Sequence, residues 1–310
     1  MDVRRSGAAL LTCVLLTLGL LLPQPASAQV PPGAAPFAGT GTWVSVFAGD
    51  AVWDHPWLHV RRMHERGVDT LYLQTASSTT PVSSDLYRPA RLAGFLQAAH
   101  ARGMKVVAWY LPPLRRVVRE HDRAMAAVGF RTSRGHTFDG FALDIEPSAT
   151  TPGGDLRDDN LRRLSRRIRQ SAGPDYPLGA IIPSPRGMQI AKRFWPDFPY
   201  RVVGRFYDAV LPMSYSTYRV SGAAATYDYT ATNIALLRAE LGDLPIHLIG
   251  GEAGALSARE TSAFVAAGYD GGVAGAGLWH YGRTGPEDWA ALQQLTTPVA
   301  FHDHERLAGF

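Results

Sequence analysis

The chain has 310 residues, of which 46% are hydrophobic and 10% aromatic, and its formal net charge at pH 7 is +4. This length allows one large hydrophobic core. The positive charge is mild and suits a chain that works near anionic cell-wall polymers without demanding it. The only cysteine is Cys13, which excludes an internal disulfide and a zinc site made of several cysteines. We expect no metal and no other cofactor, because the sequence has no Walker loop and no zinc-binding His-Glu-x-x-His. It also has no Gly-x-Ser-x-Gly serine nucleophile motif.

The N-terminus has the three parts of a secretory signal peptide. Arg4 and Arg5 give a positive segment, residues 8–22 form an apolar core, and Ala-Ser-Ala at 26–28 is a small-residue cleavage site. The apolar run is short for a membrane span. The sequence therefore predicts a signal peptide over residues 1–28 and a secreted protein that has no membrane contact after cleavage.

The rest of the chain divides into three parts by composition. Residues 29–39 are rich in Pro, Gly and Ala and predict a short linker. Residues 40–297 predict one domain, and residues 298–310 predict a polar tail. We expect a monomer with no nucleic-acid partner.

Within the predicted domain, eight short apolar runs alternate with eight helix-like segments. The predicted strands cover residues 42–47, 69–74, 105–111, 140–146, 178–183, 209–215, 246–251 and 273–280. The predicted helices cover residues 57–66, 91–102, 117–128, 160–171, 188–194, 230–241, 258–267 and 288–295. Eight strand–helix units predict an α/β fold of the (β/α)8 TIM-barrel type. A doubly wound open sheet is the alternative, but the turn after the first predicted strand is not the glycine-rich phosphate turn usual in such sheets.

The segment Phe138–Pro147 predicts a buried strand that ends in two carboxylates. Because side chains alternate along a strand, Ala142, Asp144 and Glu146 face the same way. Two neighbouring carboxyls push their pKa values apart, which separates a proton donor from a carboxylate. The segment therefore predicts an acid–base pair, with a structural ion pair inside the barrel as the alternative.

The active site of a (β/α)8 barrel lies at the C-terminal ends of its strands. Aromatic rings, polar groups and carboxylates gather at these ends, and sugars present apolar C–H faces together with many hydroxyls, so this composition suits a carbohydrate. Packing within the barrel is the alternative for the aromatic residues, and a plain loop position is the alternative for the glutamate after strand seven. The candidate substrate-binding residues from the strand ends are Gln74, Tyr110, Met213, Tyr215, Glu252 and Trp279.

These residues resemble the motifs of glycoside hydrolase family 18, the chitinases and related endo-N-acetylglucosaminidases. That family carries Asp-Gly-x-Asp-x-Asp-x-Glu on its fourth strand, Met-x-Tyr on its sixth and a tryptophan on its eighth. The positions that match in this chain are Asp139, Gly140, Asp144, Glu146, Met213, Tyr215 and Trp279.

The resemblance implies roles for four of the matching residues. Glu146 would protonate the leaving glycosidic oxygen, and Asp144 would orient the substrate's acetamido group. The carbonyl of that group would attack the anomeric carbon in place of a protein nucleophile. Tyr215 would hydrogen-bond the acetamido group, and Asp139 would belong to the substrate site. The implied function is a secreted glycoside hydrolase acting on a polysaccharide, with N-acetylhexosamine units expected in it.

Ala142 departs from the family pattern, which has an aspartate at that position. Without this neighbour, the charge of Asp144 couples mainly to Glu146. Two further hypotheses are therefore open. One is a barrel glycosidase or muramidase that uses Glu146 with Glu252 as a strand-seven nucleophile, and the other is a chitinase-like protein that binds carbohydrate without cutting it.

Five arginines fall between residues 160 and 170, where Leu161, Leu164 and Ile168 repeat at helical spacing. This pattern predicts an outer barrel helix with a basic, solvated face. Contact with an anionic wall polymer is the alternative.

Overall fold

The computed structural model describes residues 30–77, 85–148 and 151–295. Eight parallel strands form a closed barrel in chain order, and the last strand pairs with the first. This confirms the predicted (β/α)8 TIM barrel and rejects the open sheet. The strands are β1 (Gly39–Val44), β2 (Thr70–Ser77), β3 (Lys105–Leu111), β4 (Gly140–Asp144), β5 (Leu178–Pro183), β6 (Ala209–Ser214), β7 (His247–Glu252) and β8 (Gly275–Trp279).

Helices follow the strands and cover the outside of the barrel. Large apolar side chains such as Phe95, Leu164 and Phe264 are fully buried between the helices and the outward faces of the strands. None of the described helices is both long enough and apolar enough to cross a bilayer. The described α-helices are α1 (Asp50–Asp54), α2 (Pro56–His64), α3 (Pro89–His100), α4 (Val117–Val128), α5 (Gly154–Ala172), α6 (Pro185–Ile190), α7 (Tyr200–Phe206), α8 (Ala223–Leu241), α9 (Ala258–Asp270) and α10 (Pro286–Leu292).

The inside of the barrel is aromatic. Trp43 of β1 stacks on Tyr72 of β2 with ring centroids 4.0 Å apart, and Trp109 of β3 meets Trp43 edge-on at 6.1 Å. This filling requires glycine at residue 41, since a Cβ there would lie 2.7 Å from both Tyr72 and His247. The small residues of β1 thus make room for large rings from its neighbours.

The segment predicted as a linker over residues 29–39 is instead packed into the barrel where it is described. Its 3-10 helix, Pro32–Phe37, places Phe37 in the interior, fully buried. His247 Nδ1 donates to the Phe37 carbonyl oxygen at 2.8 Å, and the Thr70 hydroxyl donates to the Pro36 carbonyl at 3.1 Å. Because Thr70 and His247 begin β2 and β7, the segment closes the N-terminal end of the barrel. The linker prediction was wrong because a Pro-, Gly- and Ala-rich composition does not exclude burial.

The other two terminal predictions concern the signal peptide over residues 1–28 and the polar tail over residues 298–310. Both lie outside the described residues.

Candidate active site

Two carboxyl groups lie at the C-terminal end of β4. Asp144 is the last residue of the strand and is only 6% exposed, and Glu146 follows two residues later, partly buried. The chain between them stays strand-like, because the Ile145 N–H donates to the Ile181 carbonyl at 2.7 Å. As the alternation of a strand predicts, both acids are directed to the same side.

The environment of the pair favours its protonated forms. Burial, and then the charge of Glu146, raise the pKa of Asp144 well above its usual range. Burial also raises the pKa of Glu146. The Oδ1 atom of Asp144 has no hydrogen-bond partner among the described residues. Two buried carboxyls of this kind keep a proton at a pH where isolated ones would lose it, so the pair can supply an acid.

Tyr215 follows β6 and faces both acids. Burial raises the pKa of its hydroxyl well above the usual range, and the negative charges of Asp144 and Glu146 raise it further. The hydroxyl therefore stays protonated and can donate a hydrogen bond to a substrate oxygen at the site. This brings together three of the residues predicted from the sequence.

Glu252 ends β7 at the same mouth and is partly buried. The carboxylate of Glu252 acts on the Tyr218 hydroxyl and raises its pKa. The charge of Glu252 also acts on the hydroxyl of Tyr215 and on the His280 ring, whose pKa is lowered mainly by burial. The charges of Glu252 and of the two β4 acids thus all act on the Tyr215 hydroxyl.

Three tryptophans form one wall of the site. Trp279 at the end of β8 is partly exposed and meets Trp109 edge-on at 5.8 Å and Trp43 at 6.4 Å between ring centroids. Trp43 and Trp109 are nearly fully buried, and their indole N–H groups have no partner among the described residues. Trp279 therefore presents the ring surface that a sugar could reach, with the other two behind it.

Gln74 and Met213 also lie near this mouth, but the Gln74 amide is already hydrogen-bonded to the protein backbone, whereas Met213 makes apolar contacts. The Oε1 atom of Gln74 accepts the Val46 N–H at 2.9 Å, and its Nε2 donates to the Ala76 carbonyl at 3.3 Å. With 2% of its surface exposed, Gln74 holds the loop after β1. Met213 of β6 is partly buried and packs against the aromatic interior.

Tyr110 was wrongly predicted to face the mouth. Its ring packs in the outer layer under the helices, where the guanidinium of Arg123 on α4 lies 5.9 Å from the ring centroid. Its neighbour Trp109 faces inward instead. Strand alternation could have decided between them, because Val107 and Trp109 lie on one face of β3 and Tyr110 on the other.

Asp139 is also separated from the site. It lies immediately before β4, at the N-terminal end of the barrel. Its Oδ2 accepts hydrogen bonds from His100 Nε2 at 2.9 Å and from the Val106 N–H at 2.8 Å, and Lys105 Nζ is 3.6 Å from Oδ1. Asp144 lies five positions further along the chain, about 16 Å of strand rise away. The structure thus contradicts a substrate-binding role for Asp139, because its carboxylate ties β3 to β4 at the far end.

Ala142 is fully buried among Trp43, Tyr72 and Trp109, with which it shares one apolar cluster. Trp109 is its direct partner across the β3–β4 pairing. The space inside the barrel below Asp144 is therefore filled by rings. In residues 30–77, 85–148 and 151–295, no group of three or more His, Cys, Asp or Glu side chains could hold a metal ion.

No model of a known protein family matches this chain, and no curated protein sequence is significantly similar to it. Solved structures do match its fold. A GH5_18 protein from Streptomyces cattleya, in complex with GlcNAc, aligns with a TM-score of 0.63 and 15% identity, covering 84% of this chain and 81% of its own. The GH18 chitinase of Cycas revoluta, in complex with (GlcNAc)3, aligns with a TM-score of 0.58 and 12% identity, covering 83% of this chain and 98% of its own.

An endo-1,4-beta-mannanase from Rhizomucor miehei gives a TM-score of 0.59 and 13% identity over 79% of this chain and 86% of its own. The structural neighbours are thus glycoside hydrolases of both the chitinase and the mannanase type. At these identities the likeness supports the (β/α)8 fold and does not single out one family.

Proposed function

We propose that this protein is a glycoside hydrolase that cleaves a polysaccharide with N-acetylhexosamine units. The observation that carries the proposal is the pair of buried carboxyls, Asp144 and Glu146, at the C-terminal end of β4 with the Tyr215 hydroxyl facing them. The glycoside hydrolases among the structural neighbours, two of them holding GlcNAc or its trimer, support it.

Glu146 is the general acid in this proposal. It is the more exposed member of the pair, and burial raises its pKa, so a proton is available for the glycosidic oxygen as the bond to the anomeric carbon breaks. Its carboxylate then accepts a proton from the water that replaces the leaving sugar.

Asp144 and Tyr215 position the substrate. The acetamido N–H bonds to Asp144, and the Tyr215 hydroxyl donates to the acetamido group, so that its carbonyl oxygen is aimed at the anomeric carbon. Attack by that oxygen supplies the nucleophile from the substrate itself, a known exception to the scheme of two protein carboxylates. Trp279 offers an apolar surface for a sugar face.

The test is Glu146→Gln, which keeps the shape of the side chain and removes the proton. We expect kcat on an N-acetylhexosamine polymer to fall by about a thousandfold with polymer binding retained. Turnover equal to that of the wild type would reject Glu146 as the acid. Binding without turnover in the wild type as well would favour the carbohydrate-binding hypothesis that Ala142 motivates.

A second mechanism uses Glu252 as a covalent nucleophile. Its position at the end of β7, from which its charge acts on Tyr215 as the β4 acids do, supports this alternative. A fluorosugar adduct on Glu252, detected by mass spectrometry, would support this mechanism. Inhibition by a thiazoline analogue without labelling of Glu252 would support substrate assistance instead.

Secretion is part of the proposal and rests on the N-terminal sequence pattern. An exported protein whose intact mass corresponds to a start near Gln29 would support it. Retention of residues 1–28 in the exported protein would contradict it.

A further inference from the structure

A second concavity lies outside the carboxylate site, between the start of α4 and the second and third turns of α5. It is wide open to solvent, and its volume is about 570 Å³. We call it the arginine pocket, because four guanidinium groups line it against a single carboxylate. Its polar lining residues are Arg115, Arg116, Arg119, Arg163, Asp122 and Asn160.

The loop that carries these arginines is fixed by buried polar side chains. Glu120 of α4, 2% exposed, accepts the N–H groups of Arg115 and Arg116 at 2.8 and 2.9 Å through one oxygen. Asn160 of α5, 6% exposed, donates to the Leu114 carbonyl at 3.0 Å. Two helices therefore hold the backbone of this loop in place, so the arginine side chains start from defined positions.

The positive charge of the pocket is available to a ligand. In the described parts of the chain, no carboxylate lies within ion-pair distance of Arg115, Arg116 or Arg119. Arg163 has only a distant contact of 3.9 Å with Asp159, and all four arginines are exposed. Guanidinium groups bind carboxylate, phosphate and sulfate through paired hydrogen bonds, so the pocket suits an anionic group.

The pocket and the carboxylate site share one end of the barrel. Arg115 and Arg116 follow the C-terminal end of β3, where Trp109 lies, and α5 follows β4, which ends in Asp144. A polymer bound across this end can contact both places. The described lining has no aromatic ring on which a base could stack, which favours an anionic glycan over single-stranded nucleic acid.

We propose that the arginine pocket binds anionic substituents of the polysaccharide that the barrel cleaves, so that the natural substrate is an acidic glycan. This inference rests on the proposed hydrolase function. It specifies the substrate by charge, through residues that take no part in the chemistry.

The experiment compares two soluble polymers with the same backbone, carboxymethyl chitin and the uncharged glycol chitin. The variant Arg116→Gln with Arg119→Gln removes two charges from the pocket. We expect it to raise KM for carboxymethyl chitin about fivefold and to leave kcat and the kinetics on glycol chitin unchanged. The wild-type preference for the charged polymer should disappear by roughly 0.5 M NaCl, where the screening length is only a few ångströms.

The matched control is Arg166→Gln with Arg201→Gln. These exposed arginines line a separate hollow between α5 and α7, so the control removes the same charge elsewhere on the surface. An equal effect of both double variants, or no effect of either, would overturn the proposal. Equal affinity of the wild type for single-stranded DNA and for carboxymethyl chitin would overturn the choice of a glycan.

A binding measurement separates this inference from the proposed function. Dissociation constants for both polymers are measured in Glu146→Gln protein, with and without the pocket substitutions, so no turnover is needed. A fivefold weaker binding of carboxymethyl chitin alone would support the arginine pocket even if the wild type cleaves neither polymer. No binding of carboxymethyl chitin, or binding indifferent to Arg116 and Arg119, would reject the pocket even if glycol chitin is hydrolysed.

Discussion

Asp144 lowers the stability of the barrel at neutral pH. Its carboxyl is buried, its Oδ1 has no partner among the described residues, and burial and Glu146 raise its pKa. The folded state therefore binds this proton more tightly than the unfolded state. The stability that this proton contributes is fully present below the ordinary pKa of an aspartate and is lost as the pH rises through the folded value.

Asp144→Asn should therefore stabilise the protein at pH 7. The amide has nearly the same shape and no charge, so we expect the free energy of unfolding to rise by about 1–3 kcal/mol. The gain should vanish near pH 3, where the wild-type carboxyl is protonated in both states. Urea unfolding at the two pH values measures it, with the exposed Asp243→Asn as control. A loss of stability at pH 7 would mean that Asp144 is held by a favourable partner.

Ala142 suits a barrel interior filled by rings. Its direct neighbour is Trp109, and Trp43 and Tyr72 belong to the same buried cluster. An aspartate there would bury a second charge on the face of β4 that already carries Asp144.

Ala142→Asp should destabilise the fold more than the uncharged Ala142→Asn. Both variants overfill the position, but only the aspartate adds a buried charge beside Asp144, which we expect to cost about a further 2 kcal/mol at pH 7. The difference between the two variants should shrink as the pH falls, and chemical unfolding across pH measures it. Equal stability of both variants at pH 7 would contradict the expected repulsion.

Among the elements, β4 has carboxyl groups of opposite character at its two ends. At the N-terminal end, burial works against ionisation of Asp139, but the hydrogen bonds from His100 and the Val106 N–H outweigh it, so its pKa is lowered. At the C-terminal end, the pKa of Asp144 is raised. One strand thus separates a structural carboxylate from the buried carboxyl pair that we propose as the acid site.

Asp139→Asn should lower the free energy of unfolding at pH 7, whereas Asp144→Asn should raise it. The lowered pKa means that Asp139 contributes stability above the ordinary aspartate pKa and loses it as the pH falls through the folded value. We expect a loss of about 1–3 kcal/mol at pH 7 that disappears in acid. Lys105→Gln, which removes only the exposed partner at 3.6 Å, should change stability far less. Thermal unfolding of wild type and variants at pH 7 and near pH 3 measures these changes. A loss of stability that is the same at both pH values would contradict the role of the Asp139 charge.

Element boundaries were predicted best where apolar periodicity was unbroken. The strands β3 and β5 and the helix α4 match their predicted limits, as does the common orientation of Asp144 and Glu146. The short helices α1 and α7 were missed, because five and seven residues are too few for a helical repeat to be distinguished. Asp139 was misplaced because a motif gives spacing along the chain, whereas the strand begins only at Gly140.

For the whole molecule, the closed end of the barrel depends on the first described segment. Phe37 is fully buried, and a Cβ on Gly179 of β5 would come within 2.6 Å of its ring. No sequence pattern marked this role, because a 3-10 helix of six residues has neither the helical nor the strand period. Tertiary burial of such a segment could not be predicted from local composition.

Phe37→Ala should destabilise the barrel by about 3–5 kcal/mol, the usual cost of removing a buried aromatic ring. Pro32→Ala, at an exposed position of the same 3-10 helix, should have little effect. Differential scanning calorimetry of both variants measures the difference. Similar melting temperatures for the two would show that the segment only rests on the barrel.

The hydrogen bond between His247 and the Phe37 carbonyl joins residues 210 positions apart. A chain that emerges from its N-terminus exposes Phe37 early, but the partner that secures it arrives only with the seventh strand. We therefore expect the N-terminal end of the barrel to close only when β7 is available, since contacts so distant in sequence form slowly. Until β7 is available, the apolar side chain of Phe37 lacks the partner residue that secures its backbone in the native barrel.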